Sequence, residues 1–110
     1  MHTPPPAGLP IACSLDAGQL QGRMAEIAAA GQALRDVQAA PHVAVLRFAA
    51  DERTRERLTA IVAAESQCCA FMGFDLRDEL DEVVLTITAR DGAEPVLDDF
   101  VAAFAGGMRA

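Results

Sequence analysis

The chain has 110 residues, a little over half of them apolar, and a formal net charge of −7. That length suits one domain with its own core, and three cysteines are too few for a disulfide-rich scaffold. Its nine basic residues are all arginines, scattered from Arg23 to Arg109, and Trp and Tyr are absent, which argues against nucleic-acid binding and against stacking platforms for bases or sugars.

The opening Met1-His2-Thr3-Pro4-Pro5-Pro6 lacks the basic stretch and apolar run of a signal peptide. No apolar segment approaches the roughly 20 residues of a membrane span. The expectation is therefore a cytoplasmic protein with free thiols and no membrane partner. Residues 1–8 read as a flexible Pro-rich leader, residues 9–106 as a single domain, and 107–110 as a tail. Within the domain, Leu9, Ile11, Cys13 and Leu15 alternate with smaller or polar residues, the period of a half-buried strand that turns Cys13 inward.

Asp16 with Gln19 forms a capping-box pattern, and Leu20, Met24, Ile27, Gly31 and Leu34 follow at helical spacing. These residues predict a first helix over 17–37, stopped by Pro41. Its Ala-rich flank is a candidate homodimer surface, with intramolecular packing the simpler account. Val43 to Phe48 is rich in β-formers and predicts a second strand with Leu46 and Phe48 inward.

Asp51 then caps a helix that opens on Glu52, favourable at the positive end of the helix dipole. Leu58, Ile61 and Val62 mark its buried stripe. Phe74–Arg77 and Val83–Thr88 predict a hairpin across an acidic loop, Asp78 to Glu82, whose register the sequence leaves open. That loop lacks the order of a calcium-binding loop and reads as a solvated turn. Gly92 ends the last strand, Pro95 suits the first turn of a closing helix, and Gly106-Gly107 is expected to terminate it. The predicted order is βαβαββα, an α+β two-layer sandwich with helices on one face of a small mixed or antiparallel sheet.

The chemistry gathers at Glu65-Ser66-Gln67-Cys68-Cys69. On a helix Glu65 shares a face with Cys68 and Cys69, on a stripe committed to the interior. A carboxylate there is costly unless it is paired, hydrogen-bonded or metal-bound. The constellation supports three readings. In one, Cys68 and Cys69 thiolates, with Cys13 and Glu65 in support, bind a soft ion such as Hg, Zn, Cu(I), Cd or As(III). In the second, the thiols are redox-active or catalytic with Glu65 as a base, although a neighbouring negative charge and the C-terminal end of a helix both disfavour a thiolate. In the third, the cysteines are small core residues of a structural or partner-binding domain. His42 is a lesser candidate ligand, and Met72 beside Phe71 and Phe74 reads as core.

The run Glu65-x-x-Cys68-Cys69-x-Phe71-x-x-Phe74, with Cys13 in Ile11-Ala12-Cys13-Ser14-Leu15, resembles a group of small bacterial proteins, common in actinobacteria, that carry the signature E-x-x-C-C-x-F-x-x-F. The resemblance spans most of residues 9–105. Members occur alone or near heavy-metal-responsive regulators, so the resemblance implies metal handling and a regulator as a candidate partner. It marks Cys13, Glu65, Cys68 and Cys69. This chain has Ala70 where related sequences usually carry Pro.

Overall fold

The computed structural model describes residues 17–68 and 71–108, with side chains over 22–67 and 71–107. The described elements are α1 (Ala17–Gly31), β1 (Leu34–Ala40), β2 (Val43–Ala49), α2 (Glu52–Cys68), β3 (Met72–Glu79), β4 (Glu82–Ala89) and α3 (Glu94–Met108). The fold is α+β, with helices packed against one four-stranded antiparallel sheet in the order β1-β2-β4-β3. Two successive helix–hairpin units, α1-β1-β2 and α2-β3-β4, meet at the central β2–β4 pair, and α3 completes the helical layer. The strand expected over 9–15 lies outside the described residues.

The sheet buries one face. Ala44, Leu46 and Phe48 of β2 stand opposite Ile87, Leu85 and Val83 of β4, and all six are buried. Their alternation with half-buried Val43, Val45 and Arg47 is the period-2 signature of a strand covered on one side. Leu46 and Phe48 point inward as expected. Phe48 meets Phe104 of α3 edge-on at 5.5 Å between ring centroids, and Phe74 of β3 meets Phe100 in the same manner at 5.6 Å. Such pairs add about 0.5–1.5 kcal/mol beyond their area burial.

Three boundaries differ from the sequence reading. The first helix stops at Gly31 and does not reach residue 37; Leu34–Ala40 is instead strand β1, turning into β2 through Pro41-His42. Leu34 is buried in both readings, because it falls on the helical stripe and also begins a strand, so periodicity alone could not see the break. The β3–β4 hairpin has a tight Leu80-Asp81 turn where a five-residue loop was expected, since Glu79 still pairs with Glu82. Leu80 adopts φ 37° there. The acidic residues at this end are drawn into ion pairs: Arg47 with Glu79 and Glu82, Arg35 with Asp81 and Glu82, Arg55 with Asp78.

The third difference is α3, which continues through Gly106-Gly107 to Met108 and so takes in residues assigned to a tail. The reason is close packing on α1. A Cβ at Gly107 would overlap the Ala28 carbonyl oxygen, and one at Gly31 would overlap the Phe104 carbonyl oxygen. These two helices touch backbone to backbone, which uses glycine for its missing side chain. The Ala-rich side of α1 therefore serves packing within the chain. No helix among the described residues is long and apolar enough to cross a membrane.

Helix α2 starts as its sequence predicts. Asp51 accepts a hydrogen bond from the Thr54 backbone N–H at 2.8 Å and another from the Thr54 hydroxyl at 2.9 Å. The backbone bond and then the hydroxyl bond hold the Asp51 carboxyl below its ordinary value of 3.8.

Two measurements check these assignments. A Cβ added at Gly106 would meet no atom within 4 Å, so Gly106→Ala should raise unfolding stability by about 0.5–1 kcal/mol while Gly107→Ala lowers it by about 1–3 kcal/mol, both read from urea melts. The Asp51 carboxyl is depressed in the folded state, so its contribution is complete above the unfolded value and fades as pH falls through the folded one. Asp51→Asn keeps a cap acceptor but cannot titrate, and its urea midpoint should fall less than wild type between about pH 5 and about pH 3.

Candidate functional site

Helix α2 carries the predicted site from its capped start to its C-terminal turn. Leu58, Ile61 and Glu65 recur at three- and four-residue spacing, and all three are buried. The periodicity that placed Glu65 on an interior stripe is thus observed directly. Glu65 is only 3% exposed, among the most buried polar residues of the described chain.

Its carboxylate is answered by Arg23 of α1, whose Nη1 donates to Glu65 Oε2 at 2.7 Å. The pair crosses between the two helices, and the Arg23 side chain keeps about a quarter of its surface exposed while Glu65 keeps almost none. Arg23 was not singled out from the sequence, although a signal was present. Ile27 is 1% exposed, and the residue one turn before it on the same face, four positions back, is Arg23. Met24, which the sequence stripe used, is 42% exposed. The inner face of α1 therefore includes Arg23, whose guanidinium reaches the Glu65 carboxylate while its side chain stays about a quarter exposed.

Of the four predicted site residues, Glu65 is the one whose side chain is described. Cys68 is the last residue of α2, one turn beyond Glu65; its side chain lies outside the described residues, as do Cys13 and Cys69 entirely. Phe71 and Met72 follow immediately at the start of β3, and both are core residues. Met72 is thus packing, as its neighbours suggested.

His42 lies at the same end of the sheet. Met72 pairs with Ala89, and the Ala89 backbone N–H donates to the His42 carbonyl at 2.9 Å. One strand therefore separates the β1–β2 turn from the start of β3, a span of about 10 Å at ordinary strand spacing. The imidazole itself is engaged by carboxylates: His42 Nε2 lies 2.9 Å from Asp91 Oδ1 and 3.0 Å from Glu94 Oε2. Backbone N–H groups, that of Glu94 itself and then that of Gly92, hold the Glu94 carboxyl below its ordinary value. Gly92 takes φ +93° in this turn, a conformation that suits glycine. The three ligand-type atoms converge within 4.8 Å on an open surface where Asp91 is almost fully exposed. These imidazole–carboxylate contacts tie the β1–β2 turn to the start of α3.

Among the described residues no buried side-chain nitrogen or oxygen lacks a hydrogen-bond partner. The polar interior at Glu65 is therefore satisfied as built. No protein-family model, curated protein or solved structure matches the chain.

Removing Arg23 should be felt in stability before any chemistry is considered. Arg23→Ala leaves a buried carboxylate without this cation and should cost about 3 kcal/mol, whereas Arg23→Met with Glu65→Leu should recover most of that loss. Chemical denaturation of the two variants beside wild type checks the difference.

Proposed function

We propose that the protein binds a soft, thiophilic metal or metalloid ion, one of Hg, Zn, Cu(I), Cd or As(III), through Cys68 and Cys69, with Cys13 and Glu65 in support. Its role is sequestration, delivery or sensing in a reducing compartment, with a metal-responsive regulator as the partner that the family resemblance implies. The observation that carries this reading is the placement of the buried, ion-paired Glu65 one helical turn before Cys68. Two adjacent thiolates favour soft ions over hard cations.

Arg23 also bears on the balance of charge. A lone Glu65 carboxylate disfavours thiolate formation beside it, and a guanidinium at 2.7 Å offsets that charge. The offset favours thiolates in general, so it supports metal binding and, as a second reading, a redox or nucleophilic use of the same cysteines. Coordination separates the two, because a bound soft ion deprotonates its thiols outright.

The test is metal analysis of the protein as isolated together with thiol counting, followed by titration of reduced protein with Hg(II), Cu(I) and As(III) against a competing dithiol. One equivalent is expected to bind, and Cys68→Ser or Cys69→Ser is expected to abolish it. Binding no tighter than that of a generic dithiol overturns the proposal. A cysteine that alkylates as a thiolate near neutral pH, with no metal bound, moves the weight to the redox reading.

A further inference from the structure

We propose that His42, Asp91 and Glu94 bind a borderline divalent cation of the Zn(II), Ni(II) and Co(II) class, which clips the β1–β2 turn to the start of α3. This site is separate from the cysteines and does not rest on the thiol reading. His42 Nε2 lies 2.9 Å from Asp91 Oδ1 and 3.0 Å from Glu94 Oε2, and the three donor atoms fall within 4.8 Å of one another. Imidazole nitrogen beside carboxylate oxygen is a donor set that suits such ions. Bonds of about 2.0–2.2 Å to one Zn(II) put neighbouring donors about 2.9–3.5 Å apart at octahedral or tetrahedral angles. Both nitrogen–oxygen separations lie in that range, so these donors need little movement to share an ion.

A hydrogen bond uses only part of this arrangement. Nε2 carries at most one proton, yet two carboxylates from different residues converge on it. A cation among the three donors meets both carboxylates and the nitrogen lone pair at once. The backbone sets those donors in place. The Ala89 N–H donates to the His42 carbonyl at 2.9 Å, which fixes the β1–β2 turn against the end of β4, two residues before Asp91. Gly92, at φ +93°, turns the chain into α3, and its N–H donates to Glu94 Oε1 at 2.7 Å. Glu94 thus has one oxygen held by the backbone and the other turned to His42, the kind of outer hydrogen bond that orients a ligating carboxylate. His42 is about half exposed and Asp91 almost fully, so the remaining coordination positions are open to water.

The experiment uses the full chain with Cys13, Cys68 and Cys69 all changed to serine, so that no thiol competes, and titrates it with Zn(II) by calorimetry. One equivalent is expected to bind with Kd below about 100 µM, and His42→Ala or Glu94→Gln in that background should weaken it at least about tenfold. Asp98→Asn/Asp99→Asn, which removes two exposed acids further along α3, should change it by less than about twofold. Zn(II) at about 100 times Kd should raise Tm by at least about 5 °C, and His42→Ala should lose that rise. A Kd weaker than about 100 µM, or binding that survives His42→Ala, overturns the proposal and leaves a proton-mediated contact or diffuse attraction to an acidic surface. If circular dichroism shows the serine variant unfolded, Mn(II), which carboxylates suit better than thiolates do, decides on the reduced wild type. The amide resonances of His42, Asp91 and Gly92 should then broaden first. Absence of broadening there, or broadening centred on the acidic Asp78–Glu82 turn, overturns the proposal.

Discussion

The pairing of β2 with β4 is the constraint on which the remaining architecture hangs. Residues 43–49 and 82–89 join two hairpins into one sheet, and their inward side chains form its driest stretch. Shifting this register by one residue would turn Leu46, Phe48, Leu85 and Ile87 away from the helices, so the hydrophobic effect specifies it strongly. The register also decides what lies near what. It sets Ala89 between the β1–β2 turn and the start of β3, and thereby brings His42 and Met72 to one end of the sheet.

Over this sheet the helices are held by two unlike contacts. Between α1 and α3 the contact is steric, with Gly31 and Gly107 allowing the backbones to touch. Between α1 and α2 it includes a charge pair, Arg23 with the buried Glu65. An ion pair of this kind returns little net stability against full desolvation, whereas an apolar pair of similar volume would often serve as well.

Much of the fold was legible because the local signals agreed with the global one. The Asp51 cap, the alternation through Leu46 and Phe48, the Pro95 start of α3 and the buried stripe of α2 each gave the right element. The failures share a cause. Gly31 to Leu34 satisfied helical spacing while the chain turned, and Gly106-Gly107 looked like a stop while α1 lay close enough to need glycine there. In the candidate site, the interior position of Glu65 followed from its spacing to Leu58 and Ile61, but its partner did not, because Arg23 is 42 residues away. Spacing to Ile27 places Arg23 on the inner face of α1, but periodicity within one helix does not say which distant residue it meets.

By itself, then, the sequence determined the α+β class, the one-sided burial of the strands, and a carboxylate committed to the interior one turn before a vicinal cysteine pair. These depend on local periodicity and on chemistry that residues carry wherever they are placed. Only the tertiary structure decided the order β1-β2-β4-β3, the extra strand at Leu34–Ala40, the glycine contact of α1 with α3, and the identity of the cation that answers Glu65. Each of those depends on which distant segments meet, and that is set by closing the core as a whole.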